Sequence, residues 1–71
     1  MPEKTYLVRF VYRDGGIEIT EHVDKHWAEY QYGLFGDAYD GDIYAEIQLI
    51  ERDWRKNEDE CDTILEKKVF A

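Results

Sequence analysis

The chain has 71 residues, of which 37% are charged, and its seventeen Asp and Glu outnumber nine Lys and Arg to give a formal net charge of −8. This charge disfavours direct binding to nucleic acid or to an anionic membrane surface, and it favours basic protein surfaces. The length predicts a single compact domain over residues 1–71, and no apolar run reaches the roughly 18 residues that a membrane-spanning helix needs.

The first predicted elements form a β-hairpin. Residues 5–12 alternate in polarity, and large apolar side chains occupy every second position from Tyr6 to Tyr12, as expected of the core-facing side of a strand. The Asp-Gly-Gly sequence at residues 14–16 tolerates the positive φ angles of a tight turn. Residues 17–23 alternate again and are predicted to form the second strand.

The next segment, residues 24–35, is predicted to form a short helix. Asp24 is a suitable N-cap, and either Gly33 or Gly36 is positioned to end the helix. Four apolar residues fall on one side of that helix, which we expect to face the core: Val23, Trp27, Tyr30 and Leu34. A third strand is the alternative for this segment, because Trp and Tyr also favour sheets.

A loop and a long strand follow the helix. Residues 36–42 have loop composition, and residues 43–54 alternate in polarity. We expect four residues of this strand to point inward, namely Ile43, Ala45, Ile47 and Leu49. We expect three to point outward, namely Tyr44, Glu46 and Gln48. Ile50 interrupts the outward side, which indicates a strand covered on both faces or a bulge.

Residues 63–70 are predicted to form the last strand and to pair with the preceding one as a hairpin. Ile64 and Phe70 are expected on one face, and Leu65 and Val69 on the other. The elements add up to an α+β fold, a small antiparallel four-stranded sheet with one short helix packed on it in the order ββαββ.

The sequence lacks the residue sets of common catalytic and metal centres. It contains no serine, and His22 and His26 fall on either side of the predicted strand–helix boundary. One acidic group has spacings of three, two and four, which do not match a calcium-binding EF-hand loop. Its members are Asp37, Asp40, Asp42 and Glu46. We therefore expect no enzymatic activity, no catalytic residues, no cofactor and no bound metal.

Cys61 is the only cysteine and lies in an acidic run. The neighbouring negative charges disfavour the thiolate, so we expect the pKa of this thiol to be raised and its reactivity to be low. An unpaired cysteine and an N-terminus without the apolar stretch of a signal peptide indicate a cytoplasmic protein.

The acidity is concentrated in the middle of the chain. Between Asp14 and Glu51 there are ten carboxylates against one ammonium, that of Lys25. The eleven aromatic residues exceed what the inner faces of one small sheet and one helix need, so some tyrosines are expected at the surface among these acids. The predicted partner-binding residues are Glu18, Glu29, Tyr32, Asp37, Tyr39, Asp40, Asp42, Tyr44 and Glu46.

These features favour a small non-enzymatic protein that binds a basic surface of a partner, such as a nucleic-acid-binding protein or a nuclease. A row of carboxylates can imitate the charge spacing of duplex DNA, about one charge per 1.7 Å of axis. Phages and mobile elements encode compact acidic proteins that inhibit CRISPR and restriction enzymes. This chain is similar to them in size and charge, and no sequence motif is part of the analogy.

The alternative function is a structural or homodimerising assembly module. Lys67 and Lys68, near the end of the predicted last strand, are opposite in charge to the acidic middle of a second copy. Such a distribution favours self-association of the chain.

Overall fold

The computed structural model describes residues 3–38 and 43–70, with side chains described outside residues 36–38. Its elements are β1 (Lys4–Tyr12), β2 (Ile17–His22), α1 (Lys25–Ala38), β3 (Tyr44–Asp53) and β4 (Asp62–Val69). The four strands form one antiparallel sheet in the order β2-β1-β3-β4. The predicted α+β architecture is therefore confirmed, with β1 and β3 in the centre and β2 and β4 at the edges.

The first hairpin is held by a turn that needs a glycine. The Tyr12 amide donates to the Gly16 carbonyl oxygen at 2.8 Å, and the Gly16 amide donates to Asp14 Oδ1 at 2.9 Å. Between these residues, Gly15 has a φ of 97°, in the region that residues with a Cβ rarely adopt. The turn predicted from the Asp-Gly-Gly sequence is confirmed.

The helix is confirmed, and the alternative of a third strand in this segment is wrong. Asp24 caps α1, because its Oδ1 accepts a hydrogen bond from the His26 amide at 2.8 Å and its carbonyl oxygen accepts one from the Ala28 amide at 3.3 Å. The helix continues through Gly33 and Gly36, so the prediction that either glycine ends it is wrong. Gly15 is the only residue with a positive φ in the described part of the chain.

The side of α1 that faces the sheet differs from the predicted one. Ala28 is fully buried, and Tyr32 and Phe35 pack against the core. These three residues recur at intervals of four and three, so they form a second apolar side on the same helix. The small side chain of Ala28 lets this side approach the sheet, and the Phe35 ring meets the Phe10 ring edge-on at 5.1 Å.

A register shift near the start of β3 reverses the predicted orientation of Tyr44. Val11 is paired with Glu46, but Tyr12 is paired with Tyr44, which leaves Ala45 as an extra residue. Tyr44 therefore lies on the core side and is 7% exposed, whereas the sequence pattern predicted an outward side chain. Its ring centroid lies 5.5 Å from that of Phe10.

A second register shift changes the faces of β4. Leu49 is paired with Glu66 and Ile50 with Ile64, so Leu65 is the extra residue. Ile64 and Val69 consequently share the face opposite α1, because their partners Ile50 and Glu46 lie there. The predicted grouping of Ile64 with Phe70 is wrong, since Phe70 packs against the core on the helix side.

The core is formed between α1 and the two central strands. Its buried residues are Val8, Phe10, Ala28, Tyr44, Ile47 and Leu49. Leu7 and Ile50 are also buried, each 3% exposed, but they alternate with core residues and so lie on the other face of the sheet. Ile50 is thus explained by both predicted causes, since its strand is buried on two faces and lies beside a register shift.

Alanine at two glycine positions tests the turn and the length of the helix. In Gly33→Ala the new methyl group meets open space inside α1, so the free energy of unfolding should rise by about 0.5–1 kcal/mol. In Gly15→Ala the free energy of unfolding should fall by about 1–2 kcal/mol, because a residue with a Cβ is strained at the positive φ of this position. Urea unfolding measures both. A loss of stability in Gly33→Ala would contradict the continuous helix.

The acid sensitivity of the fold depends partly on Asp53, whose side chain is 7% exposed. Its oxygens accept three hydrogen bonds from Arg55, which hold the pKa of the Asp53 carboxyl well below its ordinary value of 3.8. Because the folded-state pKa is depressed, the stabilisation is present above pH 4 and is lost as the pH falls through the folded-state value.

Asp53→Asn should therefore lose less stability between pH 7 and pH 3 than the unmodified protein, although it should be less stable at pH 7. Chemical unfolding at the two pH values measures the difference. Asp59→Asn, which changes an exposed acid, is the control and should retain the full acid sensitivity. An identical pH dependence in Asp53→Asn and the unmodified protein would show that Asp53 does not contribute.

Candidate interaction surface

The two predicted surface tyrosines that the structure describes belong to the core or its margin. Tyr44 is buried, and Tyr32 is partly buried and packs against the core cluster. Burial raises the pKa of Tyr32 above its ordinary value, with a smaller contribution from Glu66 on β4. The outward orientation predicted for Tyr44 is therefore wrong, whereas partner binding by the partly buried Tyr32 stays a prediction.

The predicted acidic residues do not form a single surface. Glu18 lies on the helix side of the sheet, opposite Phe10, whereas Glu46 lies on the other side, opposite Val11. Glu29 is exposed on α1. The side chain of Asp37, and all of Tyr39, Asp40 and Asp42, lie outside the described residues.

Two of these carboxylates have hydrogen-bond partners within the fold. The Tyr12 hydroxyl donates to Glu18 Oε2 at 2.7 Å, and this bond raises the pKa of Tyr12. Gln48 Nε2 donates to Glu46 Oε2 on the opposite face of the sheet. Glu18 therefore remains a candidate for a helix-side surface, and Glu46 belongs to a different one.

The structure reveals a surface that sequence reasoning assigned to the core. Val23, Trp27, Tyr30 and Leu34, which we call the aromatic stripe, are 68%, 57%, 59% and 50% exposed. The Trp27 and Tyr30 rings pack edge to face with centroids 6.0 Å apart. Their helical spacing was visible in the sequence, but α1 carries two apolar sides, and only the one with Ala28 fits closely against the sheet.

The aromatic stripe lies on the side of α1 that is nearer to β2. His22 Nε2 lies 2.6 Å from Gln31 Oε1, and Gln31 Nε2 donates to Thr20 Oγ1 at 3.5 Å. Gln31 thus fastens the helix to the edge strand. Successive residues of a helix are rotated by about 100° around its axis, so Gln31 lies between the buried side of α1 and the aromatic stripe.

The surroundings of the aromatic stripe are acidic. Glu18 lies on the helix side of β2, and Asp24 caps α1 directly after Val23. Glu29 is exposed on another side of α1. Lys25 is the one Lys or Arg in the described segment from residue 17 to residue 35. An apolar strip with a negative border can bury aromatic area against a partner while its rim attracts positive charge.

The metal-ligand residue types and Cys61 are the remaining chemical groups of interest among the described residues. No three His, Cys, Asp or Glu side chains within residues 3–38 and 43–70 gather as metal ligands. Cys61 Sγ lies 3.4 Å from the Glu58 carbonyl oxygen and 3.4 Å from Asp62 Oδ1. Burial and the hydrogen bond to Asp62 raise the pKa of the Cys61 thiol, so the predicted direction is confirmed, with burial as the larger cause.

Comparison with known proteins adds no family to this description. No protein-family model, curated protein or solved structure matches the chain. Within the described residues, no helix combines the length and apolar character that crossing a membrane requires. The binding properties of the protein are therefore inferred from its own surfaces.

The exposure of the aromatic stripe predicts an unusual tolerance of substitution. Trp27→Ala and Tyr30→Ala should each lower the free energy of unfolding by less than about 1 kcal/mol, because both rings are largely in water. Ile47→Ala, at a fully buried position, should lower it by about 2–5 kcal/mol. Equal losses in chemical unfolding would mean that the aromatic stripe is part of the core after all.

Proposed function

We propose that the protein is a non-enzymatic binding module that docks its aromatic stripe against a basic surface of a partner protein. The observation that carries this proposal is the exposure of Trp27 and Tyr30 side by side on α1, together with the neighbouring carboxylates. A helix that buries one apolar side and exposes another presents ready anchors for a second molecule.

Aromatic side chains of this kind dominate the energetics of protein interfaces. Trp and Tyr are enriched among the residues whose truncation costs 2 kcal/mol or more of binding energy. Trp27 and Tyr30 already pack edge to face, so little side-chain freedom remains to be lost when they are buried. The ordered pair supports a docking role for the aromatic stripe rather than a general stickiness.

The charge of the chain supports a basic partner. With a net charge of −8, the protein is attracted over long distances by positive surfaces, and the attraction weakens as salt screens it. The carboxylates on this side of the fold, Glu18 and the N-cap Asp24, would meet Lys and Arg side chains around the buried rings. Glu46 faces the other way and has no part in this contact.

In the most specific form of this function, the protein inhibits its partner by occupying the partner's nucleic-acid-binding surface. The carboxylates would take the place of phosphates, and the rings would fill space between basic side chains. A nuclease of the kind that phage-encoded anti-CRISPR and anti-restriction proteins block is one such partner. The proposal places this interaction in the cytoplasm, where the unpaired Cys61 is stable in its reduced form.

Partner capture with matched tryptophan variants tests the proposal. The immobilised protein is exposed to a lysate freed of nucleic acid, and each retained protein is purified and its affinity measured by calorimetry. Trp27→Ala combined with Tyr30→Ala should weaken binding by about 30-fold or more. The affinity should also fall as salt rises from 50 to 400 mM, and excess duplex DNA should compete if the bound surface is one that holds nucleic acid.

Trp54→Ala is the matched control, because Trp54 is 56% exposed but its Nε1 donates to Thr5 Oγ1 on the face of the sheet opposite α1. It should change the affinity by less than about twofold, as expected of a residue outside the contact. Equal weakening by both tryptophan variants, or full retention after removal of Trp27 and Tyr30, would exclude the aromatic stripe as the docking site. Binding that is independent of salt would exclude the charge component.

A further inference from the structure

The sheet has a second face, opposite α1, on which no other helix or strand of the described chain packs. We call it the back face. Leu7 and Ile50 form its centre and are each 3% exposed. Toward the edges it presents apolar side chains that are half exposed or more, namely Ile17 and Ile19 on β2 and Ile64 and Val69 on β4, at 58%, 51%, 52% and 65%. Sheets that bury such a face generally do so against a second layer.

Trp54 borders this face and is held there by its neighbours. Its Nε1 donates to Thr5 Oγ1 at 2.9 Å, and Thr5 Oγ1 donates to Glu21 Oε2 at 2.7 Å. The Arg52 guanidinium lies 5.4 Å from the centroid of the Trp54 rings and is fixed in turn by two hydrogen bonds to Asp62. A large, 56% exposed ring is thus held in one orientation beside the apolar face.

The back face is electrically balanced in a protein that is otherwise strongly acidic. The strand register assigns it three cations and three anions: Arg9, Arg52 and Lys67, and Glu21, Glu46 and Asp62. Its net charge is therefore zero, against −8 for the whole chain. A basic partner gains nothing here, whereas a second copy of this acidic chain meets no local repulsion.

We propose that the back face is the interface of a homodimer in which two sheets pack face to face. A two-fold axis running along the strands lays β1 of one copy over β3 of the other. Arg9 then lies over Gln48, and Ile17 lies over Val69, in a self-complementary pattern. Arg9 Nε and Gln48 Oε1, a donor and an acceptor, are both withdrawn from water without a partner in the described part of the chain.

The size of the face is sufficient for a weak dimer. Four strands about 4.8 Å apart and about eight residues long cover an area of about 19 by 26 Å, or roughly 500 Å² per copy. The total of about 1,000 Å² is near the lower limit for a specific interface. We therefore expect a weak dimer that forms only at high protein concentration, rather than a permanent one.

Sedimentation equilibrium at several protein and salt concentrations tests this proposal. The dimer should strengthen as salt rises from 50 to 500 mM, because salt screens the repulsion between two chains of net charge −8. Binding of a basic partner through the aromatic stripe has the opposite salt dependence, so either proposal can fail without the other. A monomer up to about 1 mM at every salt concentration, or a dimer that weakens with salt, would overturn the interface.

Matched glutamate variants locate the contact. Ile19→Glu and Ile64→Glu place a charge on each side of the back face, and Leu34→Glu adds the same charge on α1 at similar exposure. The first two should raise the dissociation constant by about tenfold or more, and the third by less than about twofold. Circular dichroism checks that each variant is folded. Trp54→Ala, which adds no charge, should also weaken the dimer. Dimers that persist in all three back-face variants, or that only Leu34→Glu disrupts, would overturn the proposal.

Discussion

The contact of α1 with the two central strands determines what the rest of the surface can be. One helix can cover only part of one sheet face, and it does so with Ala28, Tyr32 and Phe35. Other large apolar side chains are then left at the surface, including the aromatic stripe on the β2 side of α1 and the edge residues of the back face, Ile17, Ile19, Ile64 and Val69. In a chain of this length, the division of apolar residues between the inside and the outside is set by this single packing choice.

The sequence was sufficient for the order and type of the elements, because period-two alternation and the Asp-Gly-Gly turn are local signals. It was insufficient for the facing of residues beside the register shifts. One extra residue at Ala45 turns Tyr44 into the core, and one at Leu65 brings Ile64 to the face of Val69. Such shifts depend on pairing with a distant strand, and no property of the alanine or the leucine reveals them beforehand.

The buried side of the helix was predicted wrongly for a different reason. The helix has two apolar sides, and the side with Trp27 and Tyr30 was predicted to face the core because its side chains are larger. Close packing favours the side with the small residue, because Ala28 lets the helix axis approach the sheet and lets Phe35 reach Phe10. The residues of the candidate surface were therefore recognised from the sequence, but with the opposite role.

The order of the strands has a consequence for how the chain acquires its structure. β1 is hydrogen-bonded to both β2 and β3, yet the pairing of Val8 with Leu49 joins positions about forty residues apart. The hairpin and α1 can form from local contacts, but the core is incomplete until β3 pairs with β1 and packs against α1. During synthesis the N-terminal half of this fold therefore remains without a stable core until the ribosome has released β3.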